Sequence, residues 1–369
     1  MAKTHETILE INLKSLEHNF NYLRSKISGN TKIMGVVKAF AYGSDSVKIA
    51  QKLQDLGIDF FAVAYTHEGI SLRKGGISKP ILVLHPQSAN FEEIIQHCLT
   101  PSIYSKYVLK HFIASAEAHK QKHYPIHLKL NTGLNRLGFD PDEVNYILTQ
   151  LNDTKSVKIE GIFSHLAASE DPGEKDFTIQ QIETYKKVSQ KISEGLHYKP
   201  TQHLCNTSGI INYPEAHFDM VRTGIGLYGF GNSAEEDKKL IPVASLKTII
   251  SQIHHIKKGE SVGYNRKFKA EKDSKTATLP LGHADGINRI YGAQKTNVLI
   301  NGKLAPIIGN VCMDMLMIDI SGIDCKEGDE VILFGKEKSA EEFANNAGTI
   351  SYELITSISQ RVKRKIIES

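Results

Sequence analysis

Cysteine is scarce in this chain of 369 residues, and its few copies are widely spaced. The four cysteines are Cys98, Cys205, Cys312 and Cys325. None of them forms a C-x-x-C pair, so the sequence predicts neither a structural zinc site nor a disulfide framework, and no metal site is expected. Unpaired, reduced cysteines are typical of cytoplasmic proteins.

Long apolar runs are also missing. No stretch of about 20 consecutive apolar residues occurs, which argues against a membrane span. The N-terminal sequence MAKTHETILEINL contains no apolar core of signal-peptide length. We therefore expect a soluble, cytoplasmic protein that does not bind a membrane.

Charge of one sign is not concentrated in any part of the chain. The formal net charge is +4, and the lysines and arginines are scattered rather than gathered into a stripe. A nucleic-acid-binding surface is therefore not expected. Hydrophobic residues make up 40% and charged residues 23% of the chain, as in ordinary globular proteins, and the length allows two domains.

The chain does contain a regular alternation of β-type and helical patterns between residues 31 and 230. The predicted strands cover residues 32–37, 59–65, 80–85, 100–104, 126–131, 157–163, 202–206 and 218–224. The helical candidates between them, with apolar residues at i, i+3 and i+4, include residues 45–56, 91–98, 106–120, 143–151 and 179–192. Eight strands joined by helical crossovers in about 200 residues predict an α/β fold, a (β/α)8 TIM-like barrel.

An open, doubly wound sheet is the alternative, but no G-x-G-x-x-G motif follows the first strand. After the polar segment GNSAEEDKKL, short β-type runs punctuated by glycine extend over residues 243–335, and residues 339–359 return to a helical pattern. We predict a barrel domain over residues 1–238 and a mainly β C-terminal domain over residues 239–369.

Polar side chains gather at or just beyond the carboxyl ends of five predicted barrel strands, where barrel enzymes build their active sites. They are Lys38, Lys129, Arg136, Ser164, His165, Asn206, Thr207, Ser208 and Arg222. Alone, a lysine after a strand is usually solvated, and a histidine in G-I-F-S-H is usually a satisfied buried side chain. Gathered at one rim, these residues predict a pocket.

The residue types in this pocket fit an aldehyde cofactor that carries a phosphate. A lysine that loses its proton can form a Schiff base with an aldehyde. The segment Asn206-Thr207-Ser208-Gly209 and the later Thr-Gly-Ile run offer backbone N–H groups for a phosphate, and barrels commonly bind phosphate after strands seven and eight. Pyridoxal phosphate supplies both groups.

The sequence closely resembles the alanine racemase family of fold-type III pyridoxal-phosphate enzymes over nearly its whole length. The resemblance rests on VVKAFAYG, KLNTGLNRLG, GIFSHLA, HLCNTSG, MVRTGIGLYG, VGYNRKF, GHADG, GNVCMDMLMID and SYELITSISQRV, which span residues 36–362. It implies racemisation of alanine by two bases on opposite faces of the substrate, Lys38 and Tyr264. In the family this tyrosine comes from the partner subunit, so the resemblance also implies a homodimer with shared active sites.

The resemblance assigns roles to further residues. The phosphate contacts would be Tyr42, Thr207, Gly224, Ile225 and Tyr352, and Asn206 would also belong to the cofactor-binding residues. Arg222 would face the pyridine nitrogen of the cofactor, with His165 beside the ring. Arg136 and the partner's Met313 would address the substrate carboxylate, supported by Lys129, Cys312, Asp314 and His283. Lys129 matches a position where some family members carry a carbamate that steadies the arginine.

Several residues depart from the usual family pattern. Phe40 and Ser44 replace a common asparagine and histidine, and Asn131 replaces an aspartate. Thr207 stands where serine is usual, and its hydroxyl can still donate to a phosphate. His283 replaces a tyrosine that lines the access to the site, so this change bears on substrate access rather than on the chemistry.

The sequence leaves three alternatives to an alanine racemase open. A fold-type III decarboxylase shares the domain pattern but generally needs an acidic partner for the pyridine nitrogen, where this chain has Arg222. A racemase of broader range, acting on lysine, arginine or serine, is closer. A non-enzymatic cofactor-binding barrel would end near residues 230–240 and lack both Tyr264 and the C-M-D segment, which this chain contains.

Overall fold

The computed structural model describes residues 6–231 and 233–368. Its strands are β1 Ile8–Asn12, β2 Lys32–Val36, β3 Phe60–Val63, β4 Ile81–Val83, β5 Thr100–Ile103, β6 Tyr124–Lys129, β7 Val157–Phe163, β8 Thr201–His203, β9 Met220–Thr223, β10 Ala244–Ile249, β11 Gln252–Ile256, β12 Ser261–Val262, β13 Phe268–Lys269, β14 Ser274–Leu279, β15 Asn297–Ile300, β16 Lys303–Ile308, β17 Leu316–Asp319, β18 Glu330–Phe334 and β19 Lys363–Ile367. Its helices are α1 Leu13–Ser25, α2 Lys38–Gly43, α3 Ser46–Asp55, α4 Thr66–Lys74, α5 Phe91–Gln96, α6 Lys106–Ala118, α7 Val144–Asn152, α8 Lys175–Leu196, α9 Thr207–Asn212, α10 Ala234–Asp237, α11 Ala340–Asn345 and α12 Ser351–Ser357.

Strands β2 to β9 close into a barrel in chain order, and every neighbouring pair is parallel. Each predicted barrel strand coincides with one of these eight, so the (β/α)8 prediction is confirmed. Closure requires β2 to pair with β9, where Met34 lies opposite Arg222. Parallel strands need helical crossovers, which α3 to α8 provide between the strands.

The core of the barrel is apolar because side chains alternate between the two faces of each strand. A buried apolar cluster occupies part of the interior: Met34, Phe60, Ala62, Leu82, Phe163 and Met220. The compact unit that contains this core comprises residues 17–41 and 46–240. Its interior also holds polar side chains, which form the candidate site described below.

The second compact unit comprises residues 1–16, 42–45 and 241–369, of which the structure describes residues 6–16, 42–45 and 241–368. It contains a nine-stranded sheet in the order β11-β14-β17-β16-β15-β18-β10-β1-β19. The mainly β character of the C-terminal region is therefore confirmed. The region predicted as helical contains α11 and α12, which are separated by a turn at Gly348.

The N-terminal strand β1 joins this sheet rather than the barrel. Ile8 pairs with Lys247 of β10 in antiparallel register and with Lys363 of β19 in parallel register. The sequence-based division places residues 1–238 in the barrel domain, whereas, among the described residues, the contacts group 6–16 and 42–45 with the second unit. The reason is that pairing partners distant in sequence capture β1, and no local pattern signals them.

No helix within the described ranges is long and apolar enough to cross a membrane. Nor do the described residues bring three or more histidine, cysteine, aspartate or glutamate side chains into a group that could hold a metal ion.

Candidate active site

The carboxyl ends of the barrel strands carry most of the predicted site residues. Lys38 follows β2, Lys129 ends β6, His165 lies two residues beyond β7, and Arg222 lies in β9. Asn206 precedes α9, the short helix that follows β8. Because all eight strands are parallel and close into one barrel, these ends meet at the same rim.

Lys38 opens an unusual turn of the chain. The four residues that follow it, Ala39 to Tyr42, have φ angles between 52° and 54°, so α2 winds left-handed. This conformation costs roughly 1–2 kcal/mol per non-glycine residue, because the β-carbon approaches the following carbonyl oxygen. Such local strain must be offset by surrounding contacts, and it clusters at functional sites.

One of those contacts comes from Glu68, in the first turn of α4. Its carboxylate accepts hydrogen bonds from the backbone N–H of Ala39 at 2.7 Å and from that of Ala64 at 2.7 Å. A single side chain therefore links the beginning of the left-handed turn to the end of β3. The same carboxylate also acts to raise the pKa of Lys38, although this is the smallest influence on that group.

The far end of the turn is held within the second unit. Gly43 has a φ of 81°, and a β-carbon there would lie 2.0 Å from the carbonyl oxygen of Ile355. Arg364 donates a hydrogen bond from Nη2 to the Gly43 carbonyl at 2.9 Å. Tyr42 is buried, and its ring lies 6.2 Å from that of Tyr352, so these two predicted phosphate contacts come together.

Two lysines at the rim have lowered pKa values. Burial is the largest cause for Lys38, followed by the positive charge of Arg136. Burial lowers the pKa of Lys129 to about 8, with further lowering by Arg136, Arg222 and Lys38. The four cationic groups, those of Lys38, Lys129, Arg136 and Arg222, therefore lie within electrostatic range of one another. Their mutual repulsion favours loss of the proton from each lysine.

Arg222 is 5% exposed and is surrounded by hydrogen-bond acceptors. Its Nη1 donates to Nδ1 of His203 at 3.0 Å and to the His203 carbonyl at 3.1 Å. Its Nη2 donates to the carbonyls of Ser164 at 2.6 Å and Leu204 at 2.9 Å. No carboxylate of the described residues forms a salt bridge with it, and burial lowers its pKa to about 10.

His165 shares the second amino group of this arginine, since Nδ1 of His165 lies 3.2 Å from Nη2 of Arg222. Nη2 has two hydrogens and three acceptors around it, so Nδ1 accepts a shared hydrogen bond. A guanidinium offers no acceptor for an Nδ1–H, and the proton of the neutral imidazole therefore belongs on Nε2. Burial and the Arg222 charge hold the pKa of His165 well below its usual range. The imidazole is therefore neutral and presents Nε2–H as a donor.

Three of the predicted phosphate contacts come together where β8 and β9 lead into helical turns. Asn206 caps α9 by accepting from the Gly209 N–H at 2.9 Å. The Thr207 hydroxyl lies 3.2 Å from that of Thr223 and accepts from the Gly226 N–H at 3.3 Å. Gly224 and Ile225, also predicted contacts, begin the turn that contains Gly226.

Arg136 is exposed on the loop after β6. The loop is shaped by Asn131, whose side-chain oxygen accepts from the backbone N–H groups of Gly133 at 3.2 Å and Asn135 at 3.1 Å. The Arg136 charge lowers the pKa of Lys38, Lys129 and His165. It therefore lies within electrostatic range of the rim.

The second unit presents its predicted catalytic residue on an irregular loop. Tyr264 is 70% exposed and lies between Gly263, with a φ of 74°, and Asn265, with a φ of 57°. Asn310 donates from Nδ2 to the Tyr264 carbonyl at 3.1 Å. The backbone at Tyr264 is thus anchored while its ring projects outward.

The C-M-D segment is a second outward-facing loop of this unit. Met313 is 59% exposed, and the carbonyls of Cys312 and Met313 accept from the backbone N–H groups of His283 at 2.9 Å and Ala284 at 3.0 Å. Asp314 accepts from Arg361 at 2.7 Å. The structure therefore brings His283 and the C-M-D segment together.

Sequence reasoning missed three residues of this arrangement. Glu68 could have been found as a glutamate three residues after the residue that precedes α4, a helix-start pattern. His203 and His127 had no such signal. Their importance depends on hydrogen bonds across neighbouring strands of the closed barrel, which a pattern of apolar alternation does not reveal.

Comparison with known protein families gives consistent matches along the chain. The family model described as alanine racemase, N-terminal domain, matches residues 11–231, and that described as alanine racemase, C-terminal domain, matches residues 243–366. A curated alanine racemase of Clostridium tetani is 40% identical over 370 residues, with 97% of this chain and 94% of the relative covered.

Solved structures agree with these sequence matches. An alanine racemase of Clostridium difficile superposes with a TM-score of 0.93 at 36% identity, covering 100% of this chain and 97% of that chain. An alanine racemase of Bartonella henselae, solved with covalently bound pyridoxal phosphate, superposes with a TM-score of 0.90 at 29% identity, covering 99% of this chain and 100% of that chain.

Proposed function

Because this chain belongs to the alanine racemase family and is an amino-acid racemase, we propose that it interconverts L-alanine and D-alanine with pyridoxal phosphate held on Lys38. The observation that carries the proposal is the surroundings of Arg222. A buried arginine without a carboxylate partner, a lysine with lowered pKa and a neutral histidine lie together at one barrel rim. This set of groups suits proton transfer at carbon beside a ring nitrogen.

The residues present fit the cofactor on two grounds. Both amino groups of Arg222 are engaged by protein acceptors, but within the described residues its Nε–H has no acceptor, so it is available to a ring nitrogen. Near Thr207, a β-carbon on Gly226 would lie 2.6 Å from the threonine Cγ2. Glycine there leaves room for a phosphate beside this turn, where the Gly226 N–H itself donates to the Thr207 hydroxyl.

The bound cofactor delocalises the negative charge that is left on the α-carbon when its proton departs. Lys38 holds and returns that proton on one face of the substrate. Its lowered pKa supports this assignment, because an ordinary lysine, with a pKa of about 10.4, is almost fully protonated near neutrality.

Tyr264 of the partner subunit serves the opposite face, which makes a homodimer the catalytic unit. The 70% exposure of the Tyr264 ring in a single chain supports a role toward a second chain. His165 offers its Nε2–H to the phenol oxygen, with Arg222 behind it on Nδ1. A donor and a nearby positive charge both favour the phenolate form of a tyrosine.

Arg222 also selects the reaction. Arginine keeps its own proton, so it would donate a hydrogen bond to the pyridine nitrogen without transferring the proton. A donor that keeps its proton would leave the ring nitrogen less electron-withdrawing than an acidic partner would, and this would favour simple proton return over transamination or decarboxylation. The absence of a carboxylate on Arg222 among the described residues supports this role.

The remaining predicted residues complete the proposal. Arg136 and the partner's Met313 address the substrate carboxylate, with Lys129 as a carbamate that steadies Arg136. A pKa of about 8 leaves part of the Lys129 amine neutral at mildly alkaline pH, as carbamate formation needs. The phosphate contacts are Tyr42, Thr207, Gly224, Ile225 and Tyr352. The D-alanine produced in the cytoplasm would supply bacterial cell-wall synthesis.

The test is turnover of a panel of amino acids followed by chiral analysis. Purified protein with pyridoxal phosphate is incubated separately with L-alanine, D-alanine, L-serine, L-lysine and L-arginine. We expect both alanine enantiomers to approach an equal mixture, with the other amino acids far slower. Comparable inversion of lysine or arginine would replace the alanine assignment with a broad racemase, and release of the amine would indicate a decarboxylase.

A further inference from the structure

A chain of polar side chains extends from Arg222 into the barrel interior. Nη1 of Arg222 lies 3.0 Å from Nδ1 of His203, and Nε2 of His203 lies 3.0 Å from Nδ1 of His127. Both imidazoles are fully buried. The three residues come from β9, β8 and β6, so the row of hydrogen-bonded side chains crosses the barrel and does not follow one strand.

The chemistry of the first member fixes the direction of every bond. The Arg222 guanidinium can only donate, so Nδ1 of His203 must accept and carry no proton. A neutral His203 therefore carries its proton on Nε2 and donates it to Nδ1 of His127. By the same logic, His127 carries its proton on Nε2. One orientation satisfies both contacts.

We propose that His127 is a positioning residue for the cofactor-facing arginine: as the acceptor for His203 Nε2–H, it locks His203 in the form whose Nδ1 receives Arg222. This inference rests on the proposed function, since it concerns the arginine proposed to meet the pyridine nitrogen. Without that acceptor, a buried His203 could carry its proton on Nδ1. It would then oppose the Arg222 N–H and displace the guanidinium.

The barrel makes room for His127 at a specific place. Gly161 is the register partner of His127 on β7, and a β-carbon there would lie 2.5 Å from Nδ1 of His127. The pairing of β6 with β7 also shifts register between Ile126 and His127. A local irregularity and a glycine therefore accommodate a polar ring at a position where an aliphatic side chain would be ordinary.

His127, the last of the three hydrogen-bonded side chains, has a donor at Nε2. Nε2 of His127 is buried without a partner among the described residues, and the same is true of Oγ of Ser102. Ser102 is the register partner of His127 on β5. A buried unpaired polar group costs about 1–3 kcal/mol, so one water molecule that bridges the two atoms would remove both penalties.

The environment keeps the imidazoles neutral. Burial and the charge of Arg222 lower the pKa of His127 to about 3 and hold that of His203 well below its usual range. The backbone N–H of His203 donates to the Tyr185 hydroxyl at 3.1 Å, and that hydroxyl donates to the Ile162 carbonyl. His203 therefore faces Arg222, His127 and a neutral phenol, none of which favours a second positive charge.

The direct test is 15N NMR of the holoenzyme labelled in its histidine rings. The chain has 16 histidines, and the spectra of His127→Asn and His203→Gln assign the two rings. We expect both rings to show a protonated Nε2 and an unprotonated Nδ1, unchanged between about pH 5.5 and 9. A protonated Nδ1 on either ring, or titration in this range, would overturn the proposal.

A matched pair of variants tests the consequence for the cofactor. His127→Asn keeps an acceptor near the Nδ1 position, whereas His127→Leu removes it at similar volume. We expect His127→Leu to weaken pyridoxal-phosphate retention, measured by ultrafiltration, at least about fivefold, and His127→Asn to remain within about twofold of wild type. Equal weakening in both would mean that shape alone matters and would contradict the acceptor role.

These readouts separate two kinds of failure. The ring 15N signals report the hydrogen-bond directions whether or not the protein racemises alanine. If the amino-acid panel gave no inversion while both rings showed the expected proton positions, the proposed function would fail. The positioning role of His127 toward His203 and Arg222 would stand. If the His127 or His203 ring titrated in an active racemase, the positioning role of His127 would be refuted and the proposed function would stand.

Discussion

Two residues of the barrel and two of the second unit, all predicted to be functional, differ sharply in their exposure. In the barrel, Arg222 and Lys129 are 5% and 6% exposed, and both have pKa values lowered by burial. In the second unit, Tyr264 and Met313 are 70% and 59% exposed on loops anchored through their backbone. The barrel encloses a charged site, whereas the second unit offers side chains to the outside.

This difference has an energetic consequence. Enclosed polar groups have lost their hydration, so removing one partner leaves another unsatisfied, and stability changes together with chemistry. Exposed side chains can be replaced at little cost to folding. Substitutions in the barrel should therefore affect stability and activity together, and those on the outward loops should affect activity alone.

The largest expected effect on activity is that of Lys38→Ala. We expect racemisation to be abolished, because the variant loses both the cofactor attachment and one base. In wild type, borohydride reduction followed by peptide mapping should place the cofactor on Lys38. Lys191→Ala, at an exposed position on α8, is the control and should retain full activity. Label on any other lysine would contradict the assignment.

The contrast between the units is sharpened by comparing Arg222→Leu with Tyr264→Leu. The first leaves the Ser164 and Leu204 carbonyls without their donor, and we expect a loss of about 3 kcal/mol in the free energy of unfolding. The second should change stability by less than about 0.5 kcal/mol. Both changes are measured by denaturant unfolding of the cofactor-free protein. Similar losses of stability would contradict the difference between the enclosed Arg222 and the exposed Tyr264.

A pH effect should arise from Lys129. Its pKa is about 8 when folded and about 10.4 when unfolded, so between these values the unfolded chain binds more protons and stability rises with pH. The penalty is fully present below about pH 8. In CO2-free buffer, we expect wild type to gain up to about 3 kcal/mol relative to Lys129→Met from pH 8 to 10.5. A flat difference would contradict the buried cationic amine.

A smaller effect is expected at the left-handed turn, and a glycine of the barrel unit serves as its control. Gly43 and Gly57 have φ angles of 81° and 85°, but a β-carbon meets Ile355 only at Gly43 and nothing within 4 Å at Gly57. We expect Gly57→Ala to cost about 1 kcal/mol of stability and Gly43→Ala about 2–3 kcal/mol. Equal costs would show that Gly43 meets only the conformational penalty.

The sequence predicts some levels of this structure and not others. The alternation of β-type runs with helical patterns was sufficient to identify all eight barrel strands, and the polar residues at their ends indicated the rim that carries Lys38 and Arg222. It was not sufficient for β1 and β19, because a five-residue strand is recognised by the partners it pairs with, and these are more than 200 residues away in sequence. The histidine chain depends on three strands meeting in space.

The roles of individual residues show the same limit. The left-handed turn after Lys38 follows from no propensity, since Ala39 to Tyr42 are not residues that favour positive φ. Contacts to Glu68 near its start and to Arg364 at its end accompany it. Resemblance to a family supplied Tyr264 and Met313, where composition and spacing alone gave no indication of an outward-facing role.

Complementation between two defective variants tests whether Lys38 and Tyr264 of different chains form one site. Lys38→Ala and Tyr264→Phe are each purified, mixed, briefly dissociated and allowed to reassociate. If a site combines Lys38 of one chain with Tyr264 of the other, each mixed dimer contains one intact site, and activity should return to roughly a quarter of wild type. If the mixture is no more active than its components, Lys38 and Tyr264 do not share a site across two chains, and the central claim is wrong.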